Sequence, residues 1–127
     1  MDPSRLHMLP ALQYEEYREV LRHSWVHVYW TIPFILSWSL VESLASGCTV
    51  VASKTEPVEE IITHGNQGVL VDFFDPDGLA NQVDALLKDH IQRKEFGNRA
   101  RKHILEKGYD LETCLKQQLQ LVERVLG

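Results

Sequence analysis

Apolar residues along this chain fall into two patterns. Three short, nearly unbroken runs are VHVYW (26–30), TVVA (49–52) and GVLVDF (68–73). Their β-branched and aromatic residues are those of strands, and the continuous TVVA run predicts burial on both faces. Elsewhere apolar positions recur every three or four residues, the period of a helix. Tyr14, Tyr17, Val20 and Leu21 do so among Glu15, Glu16, Arg18, Glu19 and Arg22, which predicts an amphipathic helix. Ser37 or Ser39 can cap a helix running to about Ser46, closed by Gly47. Pro57 stands near the start of another, VEEII, and His64, Gly65 and Asn66 form a turn. Asp75 and Pro76 open a helix with Leu79, Val83, Leu86 and Leu87 on one face. A second helix covers about 90–107 and stops at Gly108, and a third, after Asp110, carries Cys114, Leu115, Leu119, Val122 and Val125. RLHML (5–9) reads as one more strand, cut off by Pro10.

Strands that alternate with helices imply parallel pairing through right-handed crossovers. The expected fold is α/β, with a Rossmann-like parallel sheet of about four strands, flanking helices and a helical C-terminus. Ligands of such sheets bind beyond the carboxyl ends of the strands, at helix N-termini.

Composition narrows the field. A chain of 127 residues, 44% apolar and 24% charged, suffices for one domain with a core and is not that of a disordered protein. The net charge of −5 argues against nucleic acid as partner, because phosphate backbones call for a basic surface. The cluster Arg93, Lys94, Arg99, Arg101 and Lys102 reads as a solvated helix face. Cys48 and Cys114 have neither metal-ligand spacing nor a paired framework and fit reduced thiols in the cytoplasm. MDPSRLH has no apolar core of a signal peptide. The apolar stretch 25–44 is interrupted by His27, Pro33, Ser37, Ser39 and Glu42, so no integral membrane segment is expected.

The candidate chemistry lies in FILSWSLVESLASGCTVVAS (34–53), where Glu42 is the lone carboxylate. The helix tip that follows the first strand presents free N–H groups around Ser37, Trp38, Ser39 and Leu40, a setting for phosphate. About one turn further, the Glu42 carboxylate can accept hydrogen bonds from the vicinal hydroxyls of a ribose. The plainer reading is a half-solvated glutamate favoured by the helix dipole, and the residues alone leave both open. Glu56, Glu59 and Glu60 fit a dipole-favoured helix start, with acid–base work as the other reading. Asp72 and Asp75 beside Pro76 fit a cap better than a metal site. His27 fits a core or edge position and His64 a turn. Ser53 could either line the crevice or cap the next helix. Neither a Walker-type loop nor G-x-S-x-G occurs.

In order and spacing, WSLVESLASGCTVVASKTEPVEEII followed by GVLVDFFDPDGLA resembles the C-terminal domain of retaining glycosyltransferases of family 4 (group 1), of GT-B architecture. The resemblance is strongest over 26–80. It implies a nucleotide-diphosphate sugar as donor substrate, no further cofactor and no metal. In it Glu42 binds the donor ribose, while the tip at Ser37, Trp38, Ser39 and Leu40 approaches the diphosphate. The family's earlier glutamate, which contacts the transferred sugar, stands eight positions before Glu42, and Phe34 occupies that place here. Ribose binding therefore carries over and the sugar contact does not. The family's basic diphosphate grip lies upstream, and its acceptor site in the other domain. The resemblance thus makes residues 1–127 a single truncated domain, the nucleotide-sugar half of a transferase, inactive by itself and produced by a cut or a split gene. Its partner would be a missing N-terminal half or a second copy. The alternative is a non-catalytic nucleotide-binding or oligomerisation module that covers an open strand edge by pairing. A receiver-like signalling domain is disfavoured, since RLHML ends in no acidic cluster.

Overall fold

A computed structural model describes residues 2–127. Its centre is a parallel sheet of three strands: β1 (Val26–Tyr29), β2 (Thr49–Ser53) and β3 (Gly68–Val71). They lie in the order β1-β2-β3, with Val26 opposite Thr49 and Val50 opposite Gly68. Every residue of β2 is buried, as its continuous apolar run requires. Side chains alternate across the sheet and build a core on each face. Val50, Ala52 and Leu70 point to one side, where Leu21 of α1 (Tyr14–His23), Leu40 and Leu44 of α2 (Trp38–Ala45) and Val58 of α3 (Glu56–Glu59) meet them. Val51, Val69 and Val71 point to the other, against Leu86 of α4 (Pro76–Lys88) and Phe96 of α5 (His90–Glu106). α5 serves both faces, because its Ala100 and Ile104 join the first core. α6 (Leu111–Leu126) follows and contains no buried residue.

Helix boundaries follow from capping chemistry. The Ser37 side chain accepts the Ser39 N–H at the start of α2, and Asp75, Asp89 and Asp110 accept backbone N–H groups at the starts of α4, α5 and α6. Asp72 accepts the Phe74 N–H, so both carboxylates once weighed for a metal serve the turn into α4. Gly47, at φ 80°, turns the chain from α2 into β2.

One predicted strand is absent. Pro3–Arg5 forms a single 3₁₀ turn, and Leu6, Met8 and Leu9 are exposed, so the sheet has three strands and not four. A strand persists only where a neighbour satisfies its N–H and C=O groups, and among the described residues no strand pairs with this segment. The run 25–44 forms β1, a connecting loop and α2. Among the described residues, no helix is long and apolar enough to cross a membrane.

Arg93 departs from the expected solvated face. It is buried, its Nη1 donates to the carbonyls of Leu86 and Leu87 at 2.6 Å each, and its guanidinium packs on the Trp25 ring 4.6 Å from the centroid. Ser53 takes neither role foreseen for it. Its buried Oγ donates to the Thr31 carbonyl at 2.7 Å and accepts the Thr31 N–H at 3.0 Å, pinning the loop after β1 to the end of β2. His64 Nδ1 accepts the Leu70 N–H at 3.0 Å and holds its turn against β3.

Candidate functional site

α2 starts at the carboxyl edge of the sheet, carried there by the loop that leaves β1. Ser37 organises its tip. The Ser37 N–H donates to the Tyr29 hydroxyl at 3.2 Å, its Oγ accepts the Ser39 N–H at 3.3 Å, and its carbonyl accepts the Leu40 N–H at 3.1 Å. The Trp38 N–H makes no hydrogen bond within the chain among the described residues. The tip therefore holds one free amide and two that a ligand would share with the Ser37 cap. Leu40 contributes only backbone, since its side chain is fully buried. Ser37 and Trp38 line an apolar groove of about 200 Å³ with Leu36, Val41, Ile61 and Tyr109.

Glu42 lies on α2 but faces a different space. It is half-buried in a groove of about 250 Å³ between α1 and α2, lined also by Tyr14, Arg18, Arg22, Ala45, Ser46 and Arg101. Glu42 is in no ion pair among the described residues, although three guanidinium groups share its groove. Arg22 pairs instead with Glu19 at 2.5 Å, and Arg18 sits over the Tyr14 ring. Burial and the nearby Glu42 carboxylate both raise the Tyr17 phenol above its ordinary pKa. The Tyr17 oxygen is shut off from solvent and is in no hydrogen bond of good geometry. A buried polar atom facing a carboxylate with unused acceptor capacity is an arrangement that a hydroxyl-bearing ligand could complete.

The five predicted site residues thus share one helix and its cap, but Ser37 and Trp38 line one groove, Glu42 lines another with no lining residue in common, and Ser39 and Leu40 line neither. Tyr17, Arg18, Arg101 and Tyr109 are not among the residues the sequence assigns to the site, because they come from α1, α5 and the α5–α6 turn. The helical period of Tyr14 and Tyr17 was a signal that α1 turns aromatic residues toward one face, but not that α2 lies beneath them. Phe34 is exposed, as are Ile32, Ile35, Trp38 and Phe74.

Residues 3–103 match the family model for glycosyl transferases, group 1. The chain belongs to that family. Its fold is shared with solved structures: sucrose-phosphate synthase from Thermosynechococcus elongatus superposes with a TM-score of 0.86 at 22% identity, covering 97% of this chain and 31% of that one. Anabaena Alr3699/HepE, solved in complex with UDP-glucose, gives a TM-score of 0.78 at 20% identity over 84% of this chain and 29% of the other. Among curated relatives, the N-acetyl-alpha-D-glucosaminyl L-malate synthase of Bacillus anthracis is 34% identical over 67 residues, 53% of this chain and 18% of the relative. The chain therefore spans less than a third of the length of each of these proteins. The family match runs through all three strands and ends within α5, ahead of α6.

Proposed function

We propose that the chain is the nucleotide-sugar-binding part of a retaining glycosyltransferase, which moves a sugar from a nucleotide-diphosphate donor to an acceptor hydroxyl. One observation carries the reading: Glu42 is a half-buried carboxylate without an ion pair among the described residues, beside a buried tyrosine hydroxyl, one turn into a helix at the carboxyl edge of a parallel sheet. In this reading Glu42 accepts both vicinal hydroxyls of the donor ribose. The diphosphate meets the Trp38 N–H, with the Ser39 and Leu40 amides adding their partial charge at the positive end of α2. UDP is the first nucleotide to try, since HepE has been solved with UDP-glucose.

Transfer requires an acceptor site and a second wall to the cleft, and the described residues supply one wall. The chain by itself then binds a nucleotide without turning it over. The second reading, a non-catalytic binding or assembly module, draws support from the bare apolar face of α6. Calorimetric titration of UDP into wild type and Glu42→Ala tests the site. Loss of two hydrogen bonds to a charged acceptor should weaken binding by about 10- to 100-fold, on the order of 1.5–3 kcal/mol. Equal affinity of the two proteins would remove Glu42 from the site, and release of free sugar from UDP-glucose by the wild-type chain alone would refute its inactivity.

A further inference from the structure

We propose that the first turn of α5 closes a binding site for a phosphate dianion, free or carried as a monoester, at the amino edge of the sheet, the edge opposite the tip of α2. Arg93 supplies the first observation. Its side chain is 9% exposed and is in no ion pair among the described residues. Its partners are the Leu86 and Leu87 carbonyls and the Trp25 ring. These offset a cation only with partial charge, whereas a buried charge is ordinarily met by an opposite one. Nη1 alone serves both carbonyls, so Nε and Nη2 keep three of the five guanidinium N–H groups without an acceptor among the described residues. Stacking on Trp25 fixes the plane of that fork, and a fixed fork is what bidentate recognition of a phosphate requires.

The second observation is the space beside it. Arg93 lines a cavity of about 350 Å³ with Lys94 and His90 from the same turn, Ser24 and Trp25 from the turn before β1, and Gly47 and Thr49 at the start of β2. No carboxylate lines it. Asp89, at the head of α5, accepts the Gln92 N–H as a cap. The Thr49 and Ser24 hydroxyls donate to the carbonyls of Arg93 and Val26, which leaves recognition to the cationic groups. Lys94 is exposed and, like Arg93, has no carboxylate partner among the described residues, so the pair matches the charge of a dianion. The positive end of α5 adds to the same field. This concentration of positive charge stands in a chain of net charge −5. Every lining residue lies between 24 and 94, so the cavity does not depend on the ends of the chain. The inference is independent of nucleotide binding at Glu42.

Amide-resolved nuclear magnetic resonance on the full chain tests it. Inorganic phosphate and glycerol 3-phosphate are titrated separately at about pH 7.5, where both are mostly dianions, with sodium chloride holding the ionic strength constant. The expected result is saturable shifts at the amides of Gly47, Thr49 and Lys94, half complete near about 1 mM. Lys94→Glu should weaken binding at least about tenfold, the scale of one charge-assisted contact. Lys94 is exposed and outside both cores, so this variant keeps the fold when Arg93 variants do not. Arg93→Lys should weaken binding about threefold or more, because the charge remains and the fork is lost. Tighter binding of glycerol 3-phosphate would support a phosphorylated ligand, and tighter binding of inorganic phosphate the free ion. Shifts that do not saturate, that chloride alone reproduces, or that persist unweakened in Lys94→Glu would overturn the proposal. So would shifts confined to the amides of residues 37–40.

Discussion

At Gly97 the backbone of α5 lies close against the turn between α2 and β2. A Cβ at that position would lie well inside van der Waals contact of the Gly47 carbonyl oxygen, a backbone atom in the turn between α2 and β2. Gly47 is itself held at φ 80° and cannot yield without disturbing the end of the site helix. Gly97→Ala should therefore behave as an overpacking mutation and lower stability by about 1–3 kcal/mol. Urea denaturation followed by fluorescence of the three tryptophans would show it as a lower midpoint with an unchanged slope. A midpoint equal to that of wild type would mean that the two backbones can part without cost. Ser53 acts at the same scale and closer to the chemistry. By holding the backbone N–H and C=O of Thr31, it anchors the loop that delivers Ser37 to the carboxyl edge.

At the scale of elements, α5 is the part that joins the two layers, and Arg93 is what holds it. The guanidinium satisfies two carbonyls at the C-terminal end of α4, where the helix leaves acceptors unpaired. The Arg93 carbonyl in turn accepts the buried Thr49 hydroxyl at 2.8 Å, fastening α5 to the start of β2. Arg93→Ala should cost about 2–4 kcal/mol, because two carbonyls lose a charged donor and the Trp25 ring loses its cover. Arg93→Lys keeps the charge but not the planar group, and should recover only part of that. Thermal unfolding of the three proteins checks the order, and a lysine variant as stable as wild type would contradict it. The elements themselves were legible wherever a local rule governs them: the apolar run of β2, Asp75 and Pro76 at the start of α4, and the glycine after α2. The 5–9 segment was misread because a strand needs a partner, and partners are not a local property. Arg93 was placed on a solvated face for the same reason, since Trp25 and the end of α4 reach it only through tertiary packing. The candidate site was half legible. Glu42 and the tip of α2 stand out in the sequence, whereas Tyr17 and the three arginines of the Glu42 groove come from distant elements.

For the molecule as a whole, the buried titratable groups predict a stability plateau with a shoulder on each side. On the alkaline side, burial pushes the Cys48 thiol up to about 11 from 9.0, while its Sγ donates to the Leu21 carbonyl at 2.9 Å. Burial and the Glu42 carboxylate raise Tyr17 as well. A group whose pKa is raised by folding holds its proton longer in the native state than in the unfolded chain. Its contribution is complete below its unfolded value and disappears as pH rises through the folded one. Stability should therefore decline from about pH 9 toward 11, the range between the two Cys48 values. On the acid side, burial lowers His27 below its ordinary 6.5, so unfolding takes up a proton there and stability falls as pH drops below that value. Asp110 adds a later loss. Hydrogen bonds from Thr113 hold its carboxyl below the usual 3.8, so the cap of α6 fails only as pH falls through that depressed value. Urea midpoints measured from pH 4 to 11 should trace a maximum between about 6.5 and 9, the window set by the His27 and Cys48 shifts. Cys48→Ala should flatten the alkaline limb and leave the acid limb in place, and His27→Gln should do the reverse. An alkaline limb as steep in Cys48→Ala as in wild type would assign it to Tyr17 and the Glu42 groove, which binds the pH response of the whole fold to the site itself.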